Sequence, residues 1–365
     1  MINKLDWYIL RNFFVTFLFC MLAFTVIAVA VDSSEKTDDF VKSGLSTTQI
    51  LKQYYLGFVP YIWGLLYPLF AFIAVIFFTS KMALRSEVIA ILATGTTYNR
   101  WLRPYLIGGT FLALVLLFAN MFAIPKANEI RSDFEAKYLN GNQPQSSQTT
   151  GCASCFYKRI DSITYIGIKY FDVTTKSANS FFMDKIRNHK VFYNMRADRI
   201  EWDSTKRSWK LTNVVERTID SMKETIKTTP TKNIALNLQP SELRKDDYLK
   251  DKLTSRQLAR FIELEEQRAT EGLAPLKVEL SRRSATPFTV LLLTMIGAII
   301  AGRKTRGGSG LHLAIGIMIA AIFILSDRFS TVFATKSNFP PLVAAWVPNI
   351  LFVFVAYYLY RRAPK

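Results

Sequence analysis

Along the chain, hydrophobic positions gather into six long runs instead of alternating with polar ones. Phe13–Val31, Tyr54–Ser80 and Tyr105–Ile124 precede a polar stretch at 125–275, and Ser284–Gly302, Leu311–Ala334 and Pro340–Tyr360 follow it. Each run is close to or above the roughly 20 apolar residues that cross a bilayer as a helix. The pattern predicts six transmembrane helices in two sets of three (1–124 and 276–365), with one domain (125–275) inserted between them. Ala28-Val29-Ala30 offers the small residues of a signal-peptide cleavage site. The run from Phe13 exceeds the usual apolar core of about 7–15 residues, so the first run is expected to persist as a helix.

Within the insert the period changes. Ile160–Phe171, Val191–Trp202, Ser208–Thr218 and Thr225–Leu238 are rich in β-branched and aromatic residues, partly alternating with polar ones. Asp203-Ser204-Thr205-Lys206 reads as a turn between two of them. Strands and turns of this length predict an all-β domain: a sandwich, jelly roll or open barrel. Asn140–Gly151 reads as a polar loop. In Ser255–Gly272 the apolar residues Leu258, Phe261, Ile262 and Leu264 roughly follow helical spacing, which predicts an amphipathic helix leading back to the fourth span.

Charge then orients the arrangement. The 365 residues are 50% hydrophobic, an average that hides the segregation, yet they carry a net charge of +18. For a soluble chain that charge would suggest nucleic acid; for a membrane-spanning one it suggests anionic lipid head groups, and no nucleic-acid partner is expected. Lys4 and Arg11, the group Lys81, Arg85, Arg100 and Arg103, the group Arg303, Lys304 and Arg306, and the final Arg361, Arg362 and Lys365 all fall on one side of six spans. By the positive-inside rule that side, with both termini, is cytoplasmic. Asp32, Glu35, Asp38, Asp39 and the whole insert then lie outside.

Few residues offer chemistry. Leu84–Gly95 (LRSEVIAILATG) predicts a short helix between spans two and three, with Leu84, Val88, Ile91 and Leu92 on one face. Glu87 would favour the helix dipole from the first turn, and Gly95 would supply a left-handed stop. Such a helix either docks into a partner's groove or lies on lipid. No Gly-Lys dipeptide occurs, so the phosphate-binding G-x-x-x-x-G-K-[ST] loop is absent and any ATP hydrolysis belongs to another chain. Arg303–Gly310 (RKTRGGSG) reads as a turn. HExxH and GxSxG are absent too, and His312 has no evident partner, so neither catalytic residues nor a cofactor are expected. Cys20 lies inside a span, where it reads as a packing residue. Cys152 and Cys155 form one CxxC, open to a redox pair, half a zinc site, or a local disulfide or two loop thiols. There is no second pair and His189 is the insert's one histidine, so the last is expected and a metal is not. Asp327 and Arg328, near the end of span five, either meet a lipid head group or gate, or pair with each other at the interface. Arg282 and Arg283, beside span four, either meet lipid phosphates or anchor among head groups.

Taken together, these residues resemble the LptF/LptG family of lipopolysaccharide-export permeases, over essentially the whole chain. Arg85-Ser86-Glu87-Val88 through Ala93-Thr94-Gly95 resembles that family's cytoplasmic coupling helix. Ala197, Trp202, Trp209, Leu211 and Asn213 resemble its A-x-x-x-x-W…W-x-L-x-N stretch. Leu253-Thr254-Ser255-Arg256-Gln257-Leu258, then Glu279, Arg283 and Pro287, and finally Ala345-Trp346-Val347-Pro348-Asn349 are similar to its approach to span four and its last helix. Leu5-Asp6-Trp7-Tyr8-Ile9 and Arg85-Ser86-Glu87 lean toward LptG over LptF.

The resemblance implies a permease subunit of an ABC-type complex in the bacterial inner membrane, membrane α-helical with six transmembrane helices and an inserted all-β, jelly-roll-like periplasmic domain. Its implied partners are a cytoplasmic LptB-like ATPase dimer, a second LptF-like permease and periplasmic LptC- and LptA-like proteins. Its implied cargo is lipopolysaccharide, taken from the inner membrane and passed to a periplasmic bridge. Leu84, Arg85, Glu87, Val88, Ile91, Leu92 and Gly95 would dock the ATPase, with the apolar stripe in its groove. Spans one and five would line a lateral gate. One feature departs from the pattern: LptG-like proteins are expected to carry lysines near the outer end of span one, whereas Ala28–Val31 is apolar and only Lys36 and Lys42 follow, among acids. Phosphate contact then rests on Arg282, Arg283 or Arg328 beside Lys36 and Lys42, or the lipid carries fewer phosphates. The competing expectation is a membrane-embedded enzyme or scaffold acting on envelope lipids. The missing catalytic set argues against the enzyme, and six spans exceed what an anchor needs.

Overall fold

The computed structural model describes residues 3–139, 155–172, 175–187, 190–204, 208–220, 223–236, 238, 240, 249–267, 272–303, 308–337 and 339–363. Asn140–Gly151, Cys152, His189, Lys304, Arg306 and Lys365 lie outside them. Two compact units result. One comprises Met1–Gly141, Tyr248–Arg260 and Ala274–Lys365, the other Asn142–Asp247 and Phe261–Leu273.

The first unit is helical: α1 (Lys4–Glu35), α2 (Thr37–Lys42), α3 (Thr47–Ile50), α4 (Leu56–Leu84), α5 (Glu87–Ala93), α6 (Tyr98–Phe118), α7 (Ile124–Phe134), α8 (Leu249–Lys252), the start of α9 (Ser255–Gln267), α10 (Ala274–Ala301), α11 (Gly308–Lys336) and α12 (Pro341–Arg361). Among the described residues, six helices are long and apolar enough to cross a membrane, in agreement with the hydrophobic pattern. Regular helix is what apolar surroundings demand, since a backbone polar group without water must find its partner within the segment. The third span runs past Ile124 to Leu139, through π-helical stretches at Ala119–Ala123 and Glu135–Leu139.

α10 is the hub and packs on α4, α6 and α12. Of its most apolar stretch 72% is buried, against 11% for α1 and 17% for α11, so those two turn most of their side chains outward. Prolines within the hub's helices remove ladder bonds, and side chains replace them. Pro287 frees the carbonyl of Arg283, which lies 3.5 Å from Asn120 Nδ2. Pro348 frees that of Ala344, which accepts from Ser330 Oγ at 2.6 Å. Asn349 Oδ1 accepts from Thr289 at 2.8 Å and its Nδ2 donates to the Ala285 carbonyl at 3.3 Å, cross-linking α10 and α12. Gly57 allows α4 to touch α7, because a Cβ there would sit 2.4 Å from the Ala127 carbonyl oxygen.

The second unit holds an antiparallel sheet, β1 (Cys155–Arg159), β2 (Thr164–Asp172), β3 (Ser177–Arg187), β4 (Lys190–Asp203), β5 (Ser208–Asp220) and β6 (Lys223–Ile234), paired in chain order. The all-β expectation is met, and two strands beyond the four anticipated complete the sheet. Its apolar face carries Ile166, Ile168, Phe181, Ile200, Trp209 and Leu211.

A crease crosses β3 to β6. Asn179 and Phe181 pair with Arg199 and Ala197, leaving Ser180 opposite Asp198 outside the ladder. The same gap recurs for Asp198 with Asn213 and for Asn213 with Pro230. Ser180 and Asn213 adopt left-handed φ of 65° and 56°, which short polar side chains tolerate best. Pro230, which cannot donate to a ladder, sits on edge strand β6. Aligned irregularities of this kind bend a sheet and raise its twist.

Candidate functional site

Two regions of the helical unit gather the residues singled out from sequence. The first lies where α4 meets α6. α4 ends at Leu84, Arg85 caps it, and Ser86 turns the chain with a φ of 61°. α5 then covers Glu87–Ala93, shorter than the expected Leu84–Gly95 helix, and Gly95 provides the anticipated left-handed stop at φ 84°. Leu84 thus belongs to α4 rather than to the short helix.

The apolar stripe also faces another way than expected. Val88 is buried, and Ile91 and Leu92 pack half-buried against the core with Trp101 and Tyr98. What α5 and its flanks expose is Leu84, Arg85, Ile89, Ala90, Ala93, Thr94 and Gly95. Glu87 is held from two sides: Tyr8 on α1 donates to Oε2 at 3.2 Å, and Arg85 Nη1 lies 3.9 Å from Oε1. Nearby, Arg100 donates to both carboxylate oxygens of buried Asp6 at 2.7 and 2.8 Å. The starts of α1, α5 and α6 are therefore tied together by Tyr8–Glu87 and Asp6–Arg100, contacts that sequence spacing does not signal.

The second region lies at the other end of the spans and collects the basic candidates. Lys36 is engaged: it pairs with Asp32 at 3.0 Å and Glu135 at 3.3 Å, and it contacts the hydroxyl of Tyr54, which donates to Asp32. Lys42 is exposed on α2. Arg283, only 8% exposed, donates to the carbonyls of Leu253 and Lys250, each at 2.7 Å, and lies 3.4 Å from Glu279. It clamps the α8 segment onto α10. Asp327 pairs with Arg282 at 2.7 Å and not with its neighbour Arg328. Arg328 is exposed and carries no ion pair among the described residues.

Arg282, Arg283 and Arg328 meet in one cleft of about 250 Å³, joined by Lys250, Asp251 and Glu279. Asn128 closes its floor, donating to the Asp251 carbonyl at 3.2 Å, while Arg131 stacks 3.7 Å above the Tyr61 ring close by. Sequence reading missed Lys250, Asp251 and Asn128, which stand on α8 and α7 far from α10 in sequence. Burial pushes the Asp251 carboxyl above its ordinary 3.8, aided by Glu279 and opposed by Lys250, Arg131 and Arg283. A raised native value means that this group's stabilising contribution is complete below the unfolded value and is lost as pH rises through the native one. Asp251→Asn is therefore expected to raise the unfolding temperature at neutral pH, with the gain shrinking to nothing as pH falls below about 4. Melting curves of the detergent-purified protein from pH 4 to 8 check this, and a gain that does not vary with pH would exclude burial of the charge as its cause.

No group of three or more His, Cys, Asp or Glu placed to hold a metal occurs among the described residues. Of the CxxC pair, Cys155 opens β1 and Cys152 lies outside the described residues.

Six spans around a central proline-containing hub, with an all-β insert, define a multi-pass helical membrane protein. A family model for the lipopolysaccharide export system permease LptF/LptG matches residues 7–362, and the chain belongs to that family. No curated protein matches it. Membership makes the chain a transporter subunit and not an enzyme by itself.

Proposed function

We propose that the chain is the LptG-like transmembrane subunit of an ABC-type complex that extracts lipopolysaccharide from the bacterial inner membrane and delivers it to a periplasmic bridge. The family match over 7–362, which takes in all six spans and the insert, carries this reading. A cytoplasmic ATPase dimer powers the complex, a second LptF-like permease completes the pathway, and LptC- and LptA-like proteins receive the cargo. In this reading both termini and α5 lie in the cytoplasm and the β-sheet in the periplasm, supported by the Lys and Arg residues that gather on one side of the six spans. α5 is the ATPase contact, and the sparsely buried α1 and α11 are the natural walls of a lateral gate.

The burial of Val88 revises how α5 would dock. The exposed face of Leu84, Arg85, Ile89 and Ala93 is what a partner's groove would receive, with Glu87 at its margin. Co-purification of the tagged chain from its native membrane tests this, with Glu87→Ala and Tyr8→Phe in parallel. Tyr8→Phe removes the internal hydrogen bond and keeps the carboxylate. ATPase recovery is expected to fall about tenfold or more for Glu87→Ala, the effect of losing about 1.4 kcal/mol, and to persist with Tyr8→Phe. A wild-type chain that brings down no nucleotide-hydrolysing partner would overturn the proposal.

A further inference from the structure

α5 is short and stiffly connected. Its seven residues lie between left-handed turns at Ser86 and Gly95, and only Thr96 and Thr97 separate Gly95 from Tyr98, the first residue of α6. Its inner face is packed: buried Val88, with Ile91 and Leu92, joins a core that holds Tyr98, Trp101 and Leu102 of α6. In that same turn of α6 stands Arg100, whose fork grips the Asp6 carboxylate on α1. Asp6 is 1% exposed and also accepts from the backbone nitrogen of Asn3 at 3.0 Å, so one carboxylate both caps α1 and ties it to α6. Bidentate pairs of this kind fix direction as well as distance. Tyr8, two residues on, adds the direct bond from α1 to Glu87 at the start of α5.

α1 itself changes character along its length. At the end beside α5, Asp6, Ile9, Leu10, Phe13, Phe17 and Cys20 are buried. Phe13 and Leu10 fill the groove that Gly108 leaves on α6, where a Cβ would sit 2.8 Å from the Phe13 ring. Asp32 is the next buried position. Between Cys20 and Asp32, Val26 and Ile27 are exposed. This stretch is held to α4 through Phe24, stacked 5.4 Å from Phe70, and through Trp63 Nε1, which donates to Thr25 at 2.7 Å. A stretch with few buried positions costs little to move. The helix is thus firmly keyed at its foot and sparsely packed over residues 21–31.

We propose that Asp6 and Arg100 are positioning residues of the transport cycle. They carry a displacement of α5 through the first turn of α6 into α1, so that the sparsely packed stretch of α1 moves with its foot. Packed helices slide over one another in shear. A fork on a buried carboxylate resists that sliding, because breaking the pair leaves an uncompensated buried charge. That role rests on the reading of α5 as the ATPase contact, and it adds which span answers to α5 and through which side chains.

The test uses the complex as it co-purifies from native membranes, in vesicles that contain lipopolysaccharide. A photoreactive benzoylphenylalanine replaces Val26, which is 69% exposed in the loose stretch. Lipopolysaccharide adducts are compared without nucleotide and after trapping with ATP and vanadate. With Arg100 in place the two yields are expected to differ about tenfold, within the usual range for coupled sites. Arg100→Gln should remove that difference while ATPase recovery and ATP hydrolysis stay as in the wild type. Arg100→Lys keeps the charge without the fork and should give an intermediate difference. Where Arg100→Gln is not recovered, Arg100→Lys decides by itself. A purely structural role would lower recovery, hydrolysis and both adduct yields together in Arg100→Lys as well. That result overturns the proposal, as does a full nucleotide response in either variant. The failures are separable. A complex with Arg100 intact that hydrolyses ATP yet gives the same adducts in both states leaves the ATPase contact standing and removes α1 from the path. A chain that brings down no nucleotide-hydrolysing partner ends the ATPase reading itself, and this role with it.

Discussion

Arg283→Leu is expected to destabilise the helical unit by about 3–6 kcal/mol, taking about 1.5–3 kcal/mol for each hydrogen bond to a charged group. The two bonds at issue are the 2.7 Å contacts to the carbonyls of Leu253 and Lys250. They join the α8 segment directly to α10. The loss should therefore be local first: amide exchange across 249–258 is expected to accelerate before the rest of the bundle responds. Arg283→Lys keeps the charge but lacks the fork that reaches two carbonyls at once, so it should recover at most one bond. Arg328→Leu, on an exposed side chain, is expected to change stability by about 0.5 kcal/mol or less. Melting of the purified variants, with hydrogen exchange across the α8 segment, measures both. An Arg283→Leu protein as stable as wild type but weakened in lipid binding would reverse the assignment of roles, making Arg283 the ligand contact that sequence suggested.

That contrast marks where sequence is informative and where it stops. Hydrophobic runs placed all six spans, because burial in lipid is a property of the run itself. Four strands were legible from their β-branched and aromatic residues, although the crease also breaks the alternation of β4 between Ala197 and Ile200 and of β5 between Leu211 and Val214. β3 was not, since SANSFFMDKIR carries one β-branched residue, and the slip at left-handed Ser180, which puts its buried positions at Ala178, Phe181 and Met183, leaves no composition signal to compensate. At the site, charge located five basic candidates near one end of the bundle but could not say which were committed. Lys36 with Asp32 and Glu135, and Arg283 with the α8 carbonyls, are pairings between segments far apart in the chain. The stripe of α5 shows the same limit from the other side. Helical spacing identified Val88, Ile91 and Leu92 as one face, yet only the packing of Trp101 and Tyr98 decides that this face turns toward the chain's own core. Asn213 marks an intermediate case, a residue visible within a motif whose reason, a left-handed turn at the sheet's crease, exists only in three dimensions.

Trp209→Ala is expected to cost the β-unit about 3–5 kcal/mol, the range for truncating a fully buried aromatic residue. Trp209 is 0% exposed, stands edge-on to Trp202 at 5.0 Å and packs 6.5 Å from Phe171. Its indole nitrogen donates to the carbonyl of Leu238 at 2.9 Å, pinning the segment that follows β6 to the centre of the apolar face. Trp209→Phe separates the two contributions. It keeps most of the apolar area and leaves the Leu238 carbonyl without its donor, which should cost about 1–3 kcal/mol. Limited proteolysis of the full-length protein in detergent reads the difference, with cleavage expected within the insert and faster for alanine than for phenylalanine. Equal resistance in all three proteins would mean that the sheet holds its curvature without this anchor. Faster cleavage in the phenylalanine variant, with the apolar core otherwise filled, would assign the anchor to the hydrogen bond. That outcome would also explain why the second tryptophan of the W…W-x-L-x-N stretch needs an indole nitrogen and not merely a large ring.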